Sequence, residues 1–222
     1  MHRDSIQTWR DFDTILLDMD GTILDLAFDN YFWLELVPRS LARSQRRDPA
    51  AVRADLFARF AQKQGTLEWY CLDYWSAELS LDLRTLKSAS SHRVCYLAGA
   101  SEFLQALRAT GKTVAVVTNA HLHTLEIKKG VAGLGRWIDT FVSSHDFGAP
   151  KESPVFWAGA RQRLDFDPAR TLFIDDSQRV LDAAVAAGIG RVLAISRPDS
   201  CHPVRQVDGH LNIEALGTLL QG

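Results

Sequence analysis

Five short apolar runs set the plan of this chain, because each ends at once in polar or charged side chains. "TILLD" (14–18), "TVAVVTN" (113–119), "TLFIDD" (171–176) and "RVLAIS" (191–196) are continuously apolar over a strand's length, and "TFVSS" (140–144) is a weaker fifth. Unbroken runs of this kind mark strands covered on both faces. Helical patterns separate most of them, at 99–110, 121–134, 153–164 and 177–188. Gly111 closes the first, Pro154 opens the third, and Ser177 is placed to cap the fourth. The alternation predicts an α/β fold built on a Rossmann-like, doubly wound parallel sheet. In such sheets ligands sit beyond the carboxyl ends of the strands.

Residues 25–95 break the alternation. They carry no clear strand and read as helices near 28–46, 49–64, 66–79 and 82–91, rich in aromatics at "FDNYFWLEL" and "LEWYCLDYWSAEL". The expected organisation is an α/β core from 1–24 and 96–222, with an all-helical domain at 25–95 inserted after the first strand and lying over the strand ends.

Composition narrows the class. The chain has 222 residues, 46% hydrophobic and 23% charged, with a net charge of -2. Nothing basic enough for nucleic acid stands out, and "RSQRRDPAAVR" (43–53) reads as a solvated helix face. Cys71, Cys95 and Cys201 are odd in number and widely spaced, against a disulfide framework or a zinc motif. The amino-terminal "MHRDSIQTWRDFD" is too polar for a signal peptide, and no stretch of about 18 apolar residues predicts a membrane span. The expectation is a reduced, cytoplasmic protein without nucleic-acid or membrane partners.

Four clusters close the strands: Asp18-Met19-Asp20-Gly21-Thr22, Thr118-Asn119, Lys151 and Asp175-Asp176. Each alone has a bland reading as a turn, a helix cap or a surface lysine. Together they put four carboxylates into one cleft, where mutual repulsion raises pKa values or destabilises the fold unless something compensates. A hard divalent cation held by oxygen ligands resolves this, Mg2+ best, with Mn2+ or Co2+ able to substitute. The cleft then accepts an anion such as a phosphoryl group. Lys151 adds a second positive charge, Thr118 and Asn119 offer donors, and Gly21 lets backbone N–H groups approach phosphate oxygens. This is a layout for phosphoryl transfer to an aspartate, with a second carboxylate two residues on as acid and base.

In these four motifs, their order and their spacing, the chain resembles the haloacid dehalogenase superfamily. The resemblance implies that Asp18 is the nucleophile and Asp20 the acid/base. Thr118 and Lys151 would bind phosphate, with Met19, Gly21, Thr22 and Asn119 around it. Asp18, the Asp20 carbonyl and the Asp175-Asp176 pair would hold the metal, Asp176 directly and Asp175 through water or Lys151. A helical insertion after the first motif resembles the superfamily's type 1 cap. Asp20 favours a phosphatase or phosphomutase over a dehalogenase. A phosphonate-cleaving relative would need a cap lysine, and neither Lys63 nor Lys87 sits in a suggestive apolar setting in the sequence.

The cap must choose the substrate. Its aromatics pack its own core, and one or two in excess would stack on a base; Asp29, Asn30, Trp33, Trp69 and Asp73 are the candidate contacts. "LLDMDGTILDLAFDNYFW", "WYCLDYWS", "TNAH", "FGAPKE" and "TLFIDDS" look like the superfamily's bacterial GMP/IMP nucleotidases, which implies 5'-nucleotidase action on purine monophosphates. The alternatives are a phosphatase or mutase for sugar phosphates, and a non-catalytic binding protein, which would have lost a motif residue. His121 and His123 read as first-turn helix residues at the cleft rim, and "SRPDSCHP" (196–203) as a mobile loop.

Overall fold

A single parallel sheet carries the polar clusters to one edge of the protein. In the computed structural model, which describes residues 8–221, its strands are β1 (Thr14–Leu17), β2 (Thr113–Thr118), β3 (Thr140–Ser143), β4 (Thr171–Asp175), β5 (Arg191–Ile195) and β6 (Leu211–Ile213). Residues 1–7 of the polar amino-terminal stretch and Gly222 lie outside the described residues. The strand order is β3-β2-β1-β4-β5-β6. β1 is central, with Leu16 opposite Ala115 of β2 on one side and Phe173 of β4 on the other. The chain runs outward from β1 to β3 and then returns to start β4 on β1's other flank. That reversal opens a crevice at the carboxyl ends of β1 and β4.

Both faces of the sheet are covered, which is why the strands read as unbroken apolar runs. Ile15 and Leu17 face one layer, packed with Phe103 and Leu107 of α7 (Ala100–Arg108) and Leu125 of α8 (Leu122–Ala132). Leu16 and Phe173 face the other, with Trp157 of α9 (Pro154–Leu164) and Leu181 of α10 (Gln178–Ala186). β6 was not read from the sequence. It is three residues long with a polar centre, and the Asn212 side chain bonds the Val207 N–H and carbonyl instead of packing.

The stretch between β1 and α7 is helical: α1 (Ala27–Tyr31), a π-helical turn (Phe32–Leu36), α2 (Val37–Gln45), α3 (Pro49–Lys63), α4 (Leu67–Tyr70), α5 (Leu72–Leu79) and α6 (Leu83–Ser90). Asp48 caps α3 by accepting from the Ala51 N–H at 2.8 Å, ahead of Pro49. These helices bury a cluster of their own, including Phe32, Phe60, Trp75 and Leu83. The expected helix at 66–79 is broken. Cys71 adopts φ -85°, ψ 107°, and its Sγ accepts from the Tyr74 N–H at 3.4 Å, so it ends α4 and caps α5. Among the described residues no helix is long and apolar enough to cross a membrane.

Leu16 is fully buried at the centre of the sheet, whereas Val155 on α9 is 58% exposed. Leu16→Ala is expected to cost about 2–5 kcal/mol in a urea titration, and Val155→Ala to stay within about 0.5 kcal/mol.

Candidate active site

The crevice is organised by one lysine. The Lys151 Nζ donates to Asp18 Oδ1 at 2.5 Å, to Asp175 Oδ2 at 2.6 Å and to the Val117 carbonyl at 3.2 Å. Its backbone N–H is fixed by Asn119 Oδ1 at 2.8 Å. Asp18 extends β1, Asp175 ends β4 and Asn119 follows β2, so three adjacent strands deliver the partners. Burial opposes the Lys151 charge, but Asp175 and Asp18 more than offset it, and the ammonium is held above the usual lysine range. It neutralises only part of the cluster. Burial first, then Asp175, Asp176 and Asp20, push Asp18 well above the ordinary carboxylate value against Lys151. Burial and Asp175 push Asp176 up to about 7, opposed by Arg205 and Lys151.

One oxygen from each of Asp18, Asp175 and Asp176 lies within 4.8 Å of the others. An all-oxygen, carboxylate-rich set with excess negative charge fits a hard divalent ion. Asp175 is the more occupied of the pair, since its Oδ1 accepts from the Ser177 N–H at 2.8 Å while Oδ2 holds Lys151. Asp176 Oδ2 accepts from Arg205 at 2.9 Å.

The Asp20 side chain turns elsewhere, to Lys128 Nζ at 2.6 Å. Lys128 also donates to Asp29, whose other oxygen accepts from Lys87 at 2.8 Å. The result is a buried alternation, Asp20–Lys128–Asp29–Lys87. Burial pushes Asp29 up, but the two lysines outweigh it and hold its carboxyl at about 2. Burial first, with Asp29 adding, raises Asp20 against Lys128. The reading of Lys87 as lacking an apolar setting is therefore corrected. It is 1% exposed, with its Nζ 4.4 Å from the Phe32 ring centre and 5.5 Å from that of Trp33.

A cavity of about 340 Å³ opens on these groups. It is lined by Asp18, Asp20, Thr118, Lys151 and Asp176 from the core and by Trp33, Leu34, Phe60, Trp69 and Trp75 from the helical stretch. Trp33, Trp69, Asp29 and Asn30 are among the residues that line the cavity. Asn30 is already engaged, donating to Asp199 Oδ2 at 2.6 Å. Asp73 does not line it. Its half-buried carboxylate is forked by Arg84 at 2.7 and 2.5 Å and lies 3.6 Å from His121 Nε2, which corrects its reading as a base contact. Met19 points into the hydrophobic core, and Thr22 is fully buried with no partner for its hydroxyl, so neither side chain reaches the cavity. The Gly21 N–H is used by the Leu24 carbonyl at 2.7 Å rather than offered to a ligand. Gly21 is needed for another reason: its φ is +85°, and a Cβ there would lie 2.9 Å from the Asp176 carboxyl carbon.

Sequence reading missed the buried lysines, yet a signal existed. Lys128 shares the face of Thr124, Leu125 and Ala132 on α8, and Lys87 that of Leu83 and Ser90 on α6. Lysine on a core face at helical spacing implies a buried partner. Also missed were Arg205 and the chain Tyr70–Glu152–Asn119, in which Tyr70 donates to Glu152 at 2.7 Å and Asn119 to Glu152 at 3.0 Å. The loop at 196–203 is anchored rather than mobile, since Asp199 is 4% exposed and the Pro198 carbonyl accepts from the Leu26 N–H at 2.9 Å.

Two substitutions test this geometry. Gly21→Ala meets both a left-handed backbone and the Asp176 carboxylate, and is expected to cost about 1–3 kcal/mol together with most of the activity. Lys128→Met strands Asp20 without its cation and is expected to cost about 3–5 kcal/mol. Urea unfolding and initial rates measure both.

Comparison with known proteins places the chain in a family. A family model for haloacid dehalogenase-like hydrolases matches residues 12–188. The chain is 42% identical over 202 residues to a GMP/IMP nucleotidase, YrfG, of Escherichia coli (strain K12), covering 91% of each chain. It is 25% identical over 201 residues to a bifunctional riboflavin kinase/FMN phosphatase of Arabidopsis thaliana, covering 89% of this chain and 52% of that one. A haloacid dehalogenase phosphatase from Thermococcus onnurineus superposes with a TM-score of 0.79 at 21% identity, over 94% of this chain and 96% of that one. The chain belongs to the haloacid dehalogenase-like hydrolases, and within them it is a phosphatase.

Proposed function

We propose that this phosphatase is a Mg2+-dependent 5'-nucleotidase that hydrolyses purine nucleoside monophosphates, GMP and IMP foremost, to nucleoside and phosphate. The observation that carries the reading is the cavity itself. Its lining joins the Asp18–Lys151–Thr118 cluster of the core to tryptophans of the helical stretch. A phosphate bound at the first places a base against the second, where stacking on an aromatic face is worth about 1–3 kcal/mol. The similarity to a protein named a GMP/IMP nucleotidase extends through the helical stretch, which we read as a cap over residues 25–95 that selects the substrate.

The chemistry follows from the residues. The Asp18 carboxylate attacks phosphorus, the bond to the ribose 5'-oxygen breaks, and Asp20 gives that oxygen a proton. Asp20 then takes a proton from water, which attacks the aspartyl-phosphate and releases phosphate with Asp18 restored. Lys151 and Thr118 hold the phosphoryl oxygens, and Asn119 fixes Lys151. Lys128 holds the Asp20 carboxyl in one orientation, so that it meets the leaving oxygen rather than the carboxylate cluster. Asp18, Asp175 and Asp176, with the Asp20 carbonyl, would hold Mg2+, which supplies positive charge for an anionic group approached by a carboxylate.

A phosphatase for sugar phosphates is the second reading, because the core cluster would serve any phosphomonoester. Phosphate release across purine and pyrimidine nucleotides and sugar phosphates separates the two: GMP and IMP should lead in kcat/KM, and faster sugar phosphates would refute the nucleotide reading. Asp18→Asn is expected to lower turnover by at least about 10^4-fold, as loss of a nucleophile does elsewhere. Chelation by EDTA should stop phosphate release, and added Mg2+ should restore it.

A further inference from the structure

Away from the carboxylates, three ligand-type side chains meet where the helical stretch touches the core. Cys71 joins α4 to α5, His121 follows β2, and His145 lies in the turn after β3. One donor atom of each lies within 4.8 Å of the others. The His121 and His145 rings stand edge to face with centres 4.9 Å apart. His121 is only 8% exposed, yet its Nδ1 has no hydrogen-bond partner, and neither has the buried Nε2 of His145. Unpaired buried nitrogens are costly in a folded protein, and two of them on rings that meet beside a thiol point to something that binds there. Burial lowers both imidazoles, His145 to about 4, which favours the neutral form that a metal ion requires.

We propose that Cys71, His121 and His145 form a binding site for a borderline-soft divalent transition ion, best fitted by Zn2+, which fastens the α4–α5 junction to the loops after β2 and β3. Thiolate and imidazole select such an ion, whereas the all-oxygen crevice selects a hard one. Binding makes one metal–sulfur and two metal–nitrogen bonds. The Cys71 proton passes to solvent, and nothing is oxidised or reduced. Bond lengths of about 2.3 Å to sulfur and 2.0–2.1 Å to nitrogen put tetrahedral ligand atoms about 3.5 Å apart, so small side-chain rotations close the site. Three protein ligands leave a position for water. The half-buried Cys71 gives the ion a route from solvent. Because α4 carries Trp69 and Tyr70 into the cavity, the ion would hold one wall of the cavity against the core.

The test uses the full chain with Cys95 and Cys201 changed to Ser, leaving Cys71 as the sole thiol, and with the carboxylates saturated by Mg2+. Titration with Co2+ should produce a thiolate-to-cobalt charge-transfer band in the near ultraviolet that saturates at one equivalent and vanishes in Cys71→Ser. Calorimetric Zn2+ affinity should weaken by at least about tenfold in His121→Gln and in His145→Gln, since even loss of a residue behind a metal ligand costs about that much. Absence of the band at one equivalent, or Zn2+ affinity unchanged in both histidine variants, would overturn the site.

Discussion

The bridge from Lys151 to Asp18 and Asp175 is the interaction on which the rest depends. Parallel strands end side by side, and any side chains placed there are forced together in a poorly solvated crevice. Carboxylates at the ends of β1 and β4 would repel one another across the sheet. A buried ammonium between them, 2.5 and 2.6 Å from their oxygens, turns that repulsion into a network. It does so incompletely. The charge left on Asp18 and Asp176 would suit a hard cation, which with Lys151 would make room for a phosphoryl group in the reading proposed above.

The sheet was legible in the sequence because its strands are covered on both faces, and an apolar run bounded by polar residues survives any detail of packing. β6 was not, since three residues with a polar centre and only partial burial carry no such signature. The four strand-end clusters were legible for the same reason as the strands: their place is fixed by where the apolar runs stop. The helical stretch was legible as helices but not in its contacts. Asp29 and Asp73 look alike in sequence, yet Asp29 lies between two buried lysines, whereas the half-buried Asp73 pairs with Arg84 and sits beside His121. Which face of a helix meets the core is set by long-range packing, and a single acidic residue does not announce it. Lys87 and Lys128 were the nearest miss, because both sit on the buried face of their helices.

Polar ties join the helical stretch to the crevice. Asp29 reaches Lys128 and, through it, Asp20; Asn30 reaches Asp199; Tyr70 reaches Glu152, which accepts from Asn119, the residue that fixes Lys151. Each runs from a cavity-lining residue of the helices to the core. The helical stretch is thereby tied to the residues that orient Asp20 and place Lys151. The apolar wall and the crevice residues are thus connected by hydrogen bonds rather than by packing alone.

The central claim is that a carboxylate, not water, first attacks phosphorus. Stereochemistry at phosphorus reads this directly, whether or not an intermediate accumulates. A nucleoside phosphorothioate made chiral with oxygen isotopes, hydrolysed in isotopically labelled water, should release thiophosphate with net retention, because two in-line displacements each invert the centre. Net inversion would mean a single displacement by water and would contradict the account.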